Sequence, residues 1–359
     1  MVCASAALAV LMTYLQIRLS PVLRLTAVPR ADRWHKRPTP SSGGIAILCA
    51  AAAIYLMLFR GQHVAIASGA LALWTLGLVD DRLRLRPVVK LAGQCVVSAC
   101  VVASGVVLHA TPFEPLNMLL SFSWLVGITN AFNLIDNMDG LCAGVTVIIA
   151  GFCCFLLGAR GDWDEAGLYA LVAGVYAGFL VCNYRPADIF MGDCGSMFAG
   201  FSLAALTIAT PISRTESPVA SLFYLVLTFI YPIFDTMLVF VLRKVAHRPI
   251  LAGGKDHSSH RLALLGLGEA RAVAILWTLT AVGSAIGLLV AWMPMGLILG
   301  GSVLCGLLAV FGRFLAGVSN DFTAERRRSP AASPNPSFSG RRLGVDDLPF
   351  PARSGKSRN

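Results

Sequence analysis

The amino-acid sequence predicts an all-α polytopic membrane protein with about eleven transmembrane helices, and three observations support this fold class. The 359 residues are 56% hydrophobic and only 13% charged, with a mean hydropathy of +0.72. A soluble domain of this composition would have too little polar surface. Apolar runs near the membrane-spanning length of about 20 residues recur along most of the chain. Basic residues are concentrated in alternate connections between these runs.

Eleven apolar segments are the candidate spans. In chain order they lie at about 2–20, 41–59, 64–80, 88–108, 117–136, 140–158, 166–182, 189–210, 219–242, 272–292 and 295–315. The first segment has no positively charged region ahead of it, and a basic stretch follows it. It is therefore predicted to be a retained span and not a cleaved signal peptide.

The distribution of Lys and Arg predicts the orientation. With the N-terminus outside and the C-terminus cytoplasmic, the cytoplasmic segments hold 26 of the 29 basic residues, and the outer loops hold only Arg60, Arg160 and Arg214. This asymmetry agrees with the positive-inside rule. The net charge of +10 follows from the same bias and from attraction to anionic lipid, so we do not expect a nucleic-acid partner.

Residues 1–318 are predicted to form one polytopic membrane domain. The ten cysteines lie mainly in its apolar spans and form no CxxC pair, which indicates small hydrophobic side chains and not disulfides or zinc ligands. Residues 319–359 are rich in Ser, Pro and Arg, which predicts a disordered basic cytoplasmic tail. The sequence leaves open whether the chain forms a homodimer.

Four unusual polar stretches, at 79–87, 133–140, 183–196 and 255–262, all fall on the cytoplasmic side of this topology. The outer loops are short and carry nothing comparable. Polar residues scattered without function would not segregate in this way. We therefore expect one site, built from several helix ends at the inner surface of the membrane.

The first stretch carries the adjacent carboxylates Asp80 and Asp81 at the end of an apolar span. Two such groups repel each other unless a cation or a proton intervenes, although a solvated pair balanced by nearby arginines is an equally good interpretation. Pro87 is well placed as the first residue of the next helix. Lys90 and Gln94 then share one helical face, with Lys90 near the aspartates or reaching to the interface.

The second stretch places Asn130, Asn133 and Asn137 on one helical stripe, with Asp136 and Asp139 at its end. A single Asn in a span commonly joins helices through a hydrogen bond. Three amides and two carboxylates exceed what packing needs, because each charge costs about 2.5–3.5 kcal/mol at mid-bilayer and less near the interface. The stretch therefore indicates a ligand site.

Three further features complete the polar set. Asp193 lies between Gly192 and Gly195, which permit a close backbone approach or a special turn. Asp235 lies inside a span and requires a partner on another helix. The sequence His257-x-x-His260, followed by Arg261, is expected in the largest cytoplasmic loop and lacks the glutamate of a metalloprotease motif. A solvated basic loop is the alternative interpretation of this segment.

Carboxylates that tolerate such crowding imply a divalent cation, and hard oxygen ligands favour Mg²⁺ or Mn²⁺. Neither a P-loop nor a Rossmann fingerprint is present, so a nucleotide would have to bind through a different kind of site. A magnesium ion with basic residues at a membrane surface suggests phosphate chemistry on a lipid-linked substrate.

Six stretches occur in the order of a known family: 35–47, the aspartate pair with Lys90 and Gln94, 130–141, 186–196, 232–236 and 248–262. Together they resemble the polyprenyl-phosphate N-acetylhexosamine-1-phosphate transferases of glycosyltransferase family 4, which include WecA-like and MraY-like enzymes. The resemblance implies transfer of a sugar 1-phosphate from a UDP-N-acetylhexosamine to undecaprenyl phosphate, with release of UMP, for cell-wall or surface polysaccharide synthesis. It also implies a multi-pass protein of the inner (plasma) membrane with its active site facing the cytoplasm.

The resemblance further implies roles for individual residues and a Mg²⁺ cofactor that Mn²⁺ can replace. The implied catalytic residues are Asp80, Asp81 and Asp193. The implied metal ligands are Asp81, Asp136 and Asp193. The implied substrate-binding residues are Lys90, Asn130, Asn133, Asp136, Asp139, His257, His260 and Arg261.

Two departures from the family pattern bear on the sugar. Asn137 stands where many relatives have glycine, and Ser258-Ser259 interrupt what is often a run of three histidines. The interrupted histidine run favours the WecA-like branch and N-acetylglucosamine, with a phospho-MurNAc-pentapeptide transferase as the alternative. An ion-coupled transporter is the alternative from another class, but it would place polar residues at the midplane in repeated halves. A catalytically inactive scaffold is a third interpretation.

Overall fold

The computed structural model describes residues 1–21, 26–27, 39–59, 61–210, 218–249, 254, 256–292, 301–302, 304–306 and 308–317. The predicted tail at 319–359 lies outside the described residues, as does the outer arginine Arg214. The same holds for most of the basic stretch after the first span.

The regular secondary structure of the described chain is helical apart from one two-residue antiparallel strand pair, β1 (Thr26–Ala27) with β2 (Thr39–Pro40). The helices of the first half are α1 (Val2–Leu19), α2 (Gly43–Leu58), α3 (Val64–Leu83), α4 (Pro87–Ala103), α5 (Glu114–Ile135) and α6 (Leu141–Arg160). Those of the second half are α7 (Trp163–Asn183), α8 (Gly192–Ala209), α9 (Pro218–Thr228), α10 (Ile230–Val245), α11 (Ser258–Leu262), α12 (Gly268–Trp292) and α13 (Leu304–Gly317). A π-helical turn, Ala263–Leu267, joins α11 to α12.

The all-α polytopic class is confirmed, whereas the count of eleven spans is not. Within the described part of the chain, seven helices are long and apolar enough to cross a membrane, or up to eight if a bent pair is one span. The other three predicted segments correspond to α2, α4 and α13, which are apolar but shorter. A short helix can lie in the interior of a bundle without crossing a bilayer, so hydropathy alone does not fix the count.

The bent pair is α9 and α10, whose axes differ by 74° across a break at Phe229. Pro232 lies in the first turn of α10. Its ring has no N–H to donate and would clash with the carbonyl of Thr228, four residues earlier, in a continuous helix. The predicted span 219–242 covers both helices, and the bend between them was not predicted.

The core is built by α8, which packs against α3 and α5, and by α7, which packs against α6 and α1. Close approach between α1 and α7 requires a small residue, because a Cβ at Gly178 would lie 2.3 Å from the Ala6 carbonyl oxygen. At the start of α2, the N–H groups of Gly43 and Gly44 donate to the carbonyls of Phe190 and Met191. These bonds satisfy otherwise unpaired helix N–H groups and bring the start of α2 to the start of α8.

Candidate active site

Lys90 is the centre of the polar cluster. Its Nζ donates to Oδ1 of Asn133 at 2.8 Å, lies 3.0 Å from Oδ2 of Asp80 and contacts Oδ2 of Asp193. Pro87 begins α4, as expected, and this places Lys90 in the first turn, facing the end of α3. Only 12% of the Lys90 side chain is exposed, so the lysine does not simply reach to the interface. Three helix ends therefore converge on one ammonium group.

Asp193 is held from a second side by α5. Asn133 donates through Nδ2 to Oδ1 of Asp193 at 3.0 Å and to Oγ of Ser196 at 3.0 Å. Ser196 lies one turn after Asp193 on α8, and the sequence analysis did not single it out. Its spacing of three residues from Asp193 was the available signal.

Asp81 differs from its neighbour Asp80 in what it contacts. Its Oδ1 accepts the N–H of Asp193 at 2.9 Å, and its Oδ2 accepts the N–H of Cys194 at 3.2 Å. Asp81 thus binds the N-terminus of α8, where a carboxylate is favoured by the unpaired N–H groups and the helix dipole. The two adjacent aspartates therefore have different tasks: Asp80 faces Lys90, and Asp81 positions Asp193.

The remaining polar residues of α5 extend the cluster. Asn130 donates to Oε1 of the buried Gln94 at 2.6 Å, so Lys90 and Gln94 share one face of α4 as predicted. At the end of α5, burial raises the pKa of the Asp136 carboxyl well above its usual range, and the negative charges of nearby Asp193 and Asp81 add to the rise.

Asp139 contacts the chain between α7 and α8. Its Oδ2 accepts the N–H of Ala187 at 3.1 Å. Asn183, at the end of α7, supports the same connection by donating to the Ile189 carbonyl at 2.8 Å and accepting the Gly140 N–H at 3.1 Å. Asp139 therefore orders the segment that leads into Asp193.

The histidine segment is buried against the helix ends and is not a solvated loop. His257 and His260 are each 5% exposed, and their ring centroids are 6.2 Å apart. Nδ1 of His257 lies 2.7 Å from Oδ2 of Asp235, which supplies the partner that this buried carboxylate required. Ser258 donates to Oδ1 of Asp235 through its N–H at 2.7 Å and its Oγ at 2.6 Å.

One contact connects the histidine segment to α5. Oγ of Ser259 donates to Oδ1 of Asn137 at 2.6 Å. Asn137 and Ser259 lie in the two stretches where the sequence differs from the pattern of the family that it resembles, and here they bond to each other. The connection places α11 beside Asp136, the residue that precedes Asn137.

Arg261 contacts backbone carbonyls in this structure. Nε donates to the Asp256 carbonyl at 2.8 Å, and Nη1 donates to the Leu315 carbonyl at 2.7 Å. The Asp256 carboxylate in turn lies 3.2 Å from Nε of Arg243. Arg261 therefore ties α11 to α13 and to the end of α10. Its predicted contact with a substrate stays a prediction.

The oxygen atoms around Lys90 fit a hard divalent cation in chemical type. Oδ2 of Asp80, Oδ2 of Asp193 and Oδ1 of Asn133 converge on one positive charge, and such oxygens are the ligands that Mg²⁺ and Mn²⁺ prefer. Across the described segments, no three His, Cys, Asp or Glu side chains form a ready-made metal cluster. Asp81 and Asp136, which the sequence analysis named as ligands, stay predictions in that role.

An apolar cavity of about 210 Å³ lies between α5 and α10, one turn from the polar stripe of α5. Its lining residues are Ser123, Trp124, Gly127, Ile128, Ala131, Ile233, Thr236 and Met237. The wall of the cavity that α10 forms lies next to Asp235 in the sequence. Local sequence patterns do not reveal this cavity, because its α10 wall follows the bend before that helix.

Comparisons with known proteins show which family the chain resembles. A family model described as glycosyl transferase family 4 matches residues 63–210, which run from α3 to α8. The chain is 32% identical over 285 residues to a probable undecaprenyl-phosphate N-acetylglucosaminyl 1-phosphate transferase of Bacillus subtilis, covering 72% of this chain and 77% of that one. It is 32% identical to a decaprenyl-phosphate N-acetylglucosaminephosphotransferase of Mycolicibacterium smegmatis, covering 70% and 71%. It is 31% identical to a phospho-N-acetylmuramoyl-pentapeptide-transferase of Latilactobacillus sakei, covering 72% and 87%.

Proposed function

Because this chain belongs to glycosyl transferase family 4, we propose that it transfers N-acetylglucosamine 1-phosphate from UDP-N-acetylglucosamine to undecaprenyl phosphate. One observation carries the proposal: the ends of α3, α4, α5 and α8 converge at Lys90 in a membrane protein. The carboxylates of Asp80, Asp193 and Asp136 lie in the same cluster. Oxygen ligands, a buried ammonium and an apolar groove together suit a diphosphate donor and a lipid acceptor.

The reaction is a phosphoryl transfer. An oxygen of the acceptor phosphate attacks the β-phosphorus of the donor, the bond from that phosphorus to the bridging oxygen breaks, and UMP leaves with that oxygen. The product is undecaprenyl-diphospho-N-acetylglucosamine, a precursor for cell-wall or surface polysaccharide. Such chemistry depends mainly on positioning and on neutralising oxyanion charge.

Two groups of residues position the donor in this proposal. Lys90 pairs with its diphosphate, and His257 and His260 approach from α11, with Arg261 holding that helix against α13. Asn130, Asn133, Asp136 and Asp139 form the polar stripe along which the nucleotide and sugar bind. Asp81 keeps Asp193 at the reaction centre.

We propose Mg²⁺ as the cofactor, with Mn²⁺ as a substitute; Asp80, Asp193 and Asn133 would hold it. The ion would neutralise diphosphate charge and polarise the reacting phosphoryl group. Because the pKa of Asp136 is raised, this carboxyl would add negative charge that favours a cation only at a pH high enough to ionise it.

The acceptor tail is proposed to lie in the apolar groove between α5 and α10. The groove begins beside Asn130 and continues along Gly127 and Trp124, away from the polar cluster. An isoprenoid placed there would bring its phosphate to the level of Lys90 while its tail remains among apolar side chains.

The protein is proposed to lie in the inner membrane with the N-terminus outside and the active site facing the cytoplasm. The basic residues support this orientation, because Arg243 and Arg248 flank the site whereas the opposite end of the bundle is poor in basic residues. A cysteine placed at Arg248 should resist a reagent confined to the outside, and one placed at Trp163 should react. The reverse pattern would overturn the orientation.

The deciding assay uses purified protein, undecaprenyl phosphate, Mg²⁺ and a panel of UDP-sugars, with UMP release as the readout. We expect release with UDP-N-acetylglucosamine and none after chelation by EDTA. Preference for UDP-MurNAc-pentapeptide would instead assign the second family activity, for which the Latilactobacillus sakei relative is the supporting observation. Absence of UMP release with every sugar would overturn the proposal.

A further inference from the structure

The histidine segment is attached to three different helices by side-chain hydrogen bonds. Ser258 bonds to a carboxylate of α10, and Arg261 donates to a backbone carbonyl of α13. Ser259 lies between these two residues and donates through Oγ to Oδ1 of Asn137 at 2.6 Å. The first two attachments hold α11 to α10 and α13, whereas the third joins α11 to the end of α5.

Asn137 presents its oxygen to α11 while its nitrogen is used within its own segment. Nδ2 donates at 2.8 Å to the carbonyl of Leu134, which is one of the last carbonyls of α5 and therefore has no partner within the helix ladder. The same amide thus closes the end of α5 and accepts the bond from Ser259. Because Ser259 is fully buried, loss of this acceptor would leave its hydroxyl unpaired and away from water.

The bond fixes the distance between two parts of the polar cluster. Ser259 directly precedes His260, and Asn137 directly follows Asp136. The segments that carry His260 and Asp136 are therefore joined one residue away from both. Without the bond, α11 would remain attached to α10 and α13, so it would stay folded but would lose its fixed position relative to α5.

We propose that Asn137 and Ser259 are a positioning pair that sets the affinity for the nucleotide-sugar donor by holding His260 at the Asp136 end of α5. Neither side chain needs to touch the reacting atoms. A segment that is already held in its binding position loses less conformational freedom when the ligand binds. This inference rests on the proposed function, because it takes the UDP-sugar as the ligand that binds between α5 and α11.

The test is steady-state kinetics of Asn137→Ala, Ser259→Ala and the double variant, with the UDP-sugar and the acceptor varied separately. We expect each single variant to raise KM for the UDP-sugar about fivefold, which corresponds to the loss of one net hydrogen bond. Both kcat and KM for undecaprenyl phosphate should change by less than about twofold. The double variant should also lose about fivefold, and not the roughly 25-fold expected if the two residues acted independently.

Ser121→Ala is the matched control for the loss of a buried hydroxyl. Ser121 is fully buried on α5, where its Oγ accepts the N–H of Leu108 at 2.8 Å and donates to the carbonyl of Asn117 at 2.7 Å. It lies toward the start of α5, away from the polar cluster at the end of that helix. Its loss should lower thermal stability at least as much as Ser259→Ala does and leave KM for the UDP-sugar unchanged.

A bond with only a structural role would produce a different pattern. Thermal stability and kcat would fall, because less protein is folded, while KM for the UDP-sugar would stay at the wild-type value. That pattern would overturn the positioning role, even if the wild type releases UMP normally. Losses that multiply in the double variant, or an equal rise in KM for the acceptor, would also overturn it.

Equilibrium binding of UDP-N-acetylglucosamine to each purified variant separates this inference from the proposed function. The two alanine variants should bind the UDP-sugar about fivefold more weakly than the wild type and Ser121→Ala. Wild-type affinity in both would overturn the positioning role without any measurement of turnover. Absence of UMP release by the wild type with every UDP-sugar would overturn the proposed function, whatever the binding result.

Discussion

Nδ1 of His257 lies 2.7 Å from Oδ2 of Asp235, and both side chains are buried where α11 meets α10. The other Asp235 oxygen accepts two bonds from Ser258. A carboxylate on Nδ1 fixes the tautomer and orientation of an imidazole and directs Nε2 away from the pair. The pair therefore sets how His257 faces the donor site.

The variant Asp235→Asn is expected to reduce kcat/KM for the UDP-sugar by at least about tenfold, or about 1.4 kcal/mol. The amide retains the size of the side chain but loses the charge that orients the imidazole. The matched control is Asp188→Asn, at an exposed position between α7 and α8, which should change kcat/KM little. Steady-state kinetics on both variants is the measurement, and wild-type kcat/KM in Asp235→Asn would contradict the orienting role.

Gly192→Ala should inactivate the enzyme because α8 cannot keep its approach to Asp81. Gly192 has φ +75°, and an added Cβ would lie 2.7 Å from Oδ2 of Asp81 and 2.8 Å from the Ser41 carbonyl oxygen. Displacing these groups would move Asp193. Gly105→Ala is the control, since Gly105 has φ +96° and no atom within 4 Å of the added Cβ.

Both substitutions carry a backbone cost of about 1–2 kcal/mol, so thermal stability should fall in both. Loss of UMP release should be confined to Gly192→Ala. If Gly105→Ala lost activity to the same degree, backbone strain alone would explain both results, and the steric argument at Asp81 would fail.

Gly127→Leu should block the groove proposed for the acceptor tail. Gly127 lines the cavity between α5 and α10, and an added Cβ there would meet no atom within 4 Å, so the leucine projects into open space. We expect kcat/KM for undecaprenyl phosphate to fall at least about tenfold, with a smaller loss for an acceptor with a short isoprenoid chain. Gly151→Leu on α6, where the added Cβ is equally unobstructed, is the control.

The measurement is kcat/KM of the two leucine variants for long and short acceptors, which tests whether the groove binds the acceptor tail. Equal losses in Gly127→Leu and Gly151→Leu would indicate a general effect on the bundle and not occlusion of the groove. Equal losses for long and short acceptors in Gly127→Leu would place the tail elsewhere.

The Mg²⁺ requirement should depend on pH through Asp136. Because the pKa of this carboxyl is raised by burial and by neighbouring carboxylates, the group binds a proton at higher pH than an ordinary aspartate. Protonation removes a negative charge near the cation, so the apparent Mg²⁺ affinity should fall as pH falls through the raised pKa and recover as pH rises. Mg²⁺ titrations of UMP release at several pH values are the measurement.

The variant Asp136→Asn provides the comparison for this pH effect. It should bind Mg²⁺ more weakly at high pH and show a flatter dependence on pH, because the titrating charge is gone. A pH dependence identical to that of the wild type would show that another group controls metal affinity.

Much of this protein could be predicted from local patterns. Hydropathy located the long apolar helices of the described chain, because a helix that contacts lipid needs apolar side chains along its length. The spacing of Lys90 and Gln94 on one helical face, Pro87 as the first residue of α4 and the need of Asp235 for a partner followed from helix geometry and from the cost of buried charge. The family resemblance rested on motif order and was confirmed by the comparisons.

Contacts between distant parts of the chain could not be predicted from these local patterns. Asp80 and Asp81 are neighbours of the same type, yet only the packing of α8 decides that Asp81 binds the helix N-terminus while Asp80 faces Lys90. The bond from Ser259 to Asn137 joins residues 122 positions apart, and neither residue carries a signal that identifies the other.

The sequence by itself therefore determined the helices and their class, because periodicity and hydrophobicity act locally, and it predicts the side of the membrane on which the polar residues lie. Only the tertiary structure decided that Lys90 holds the oxygen atoms of Asp80, Asp193 and Asn133, that α10 bends away from α9, and that the histidine segment is buried. These features depend on the directions in which side chains from separate helices meet. Such directions are set by packing and not by the order of residues along any one helix.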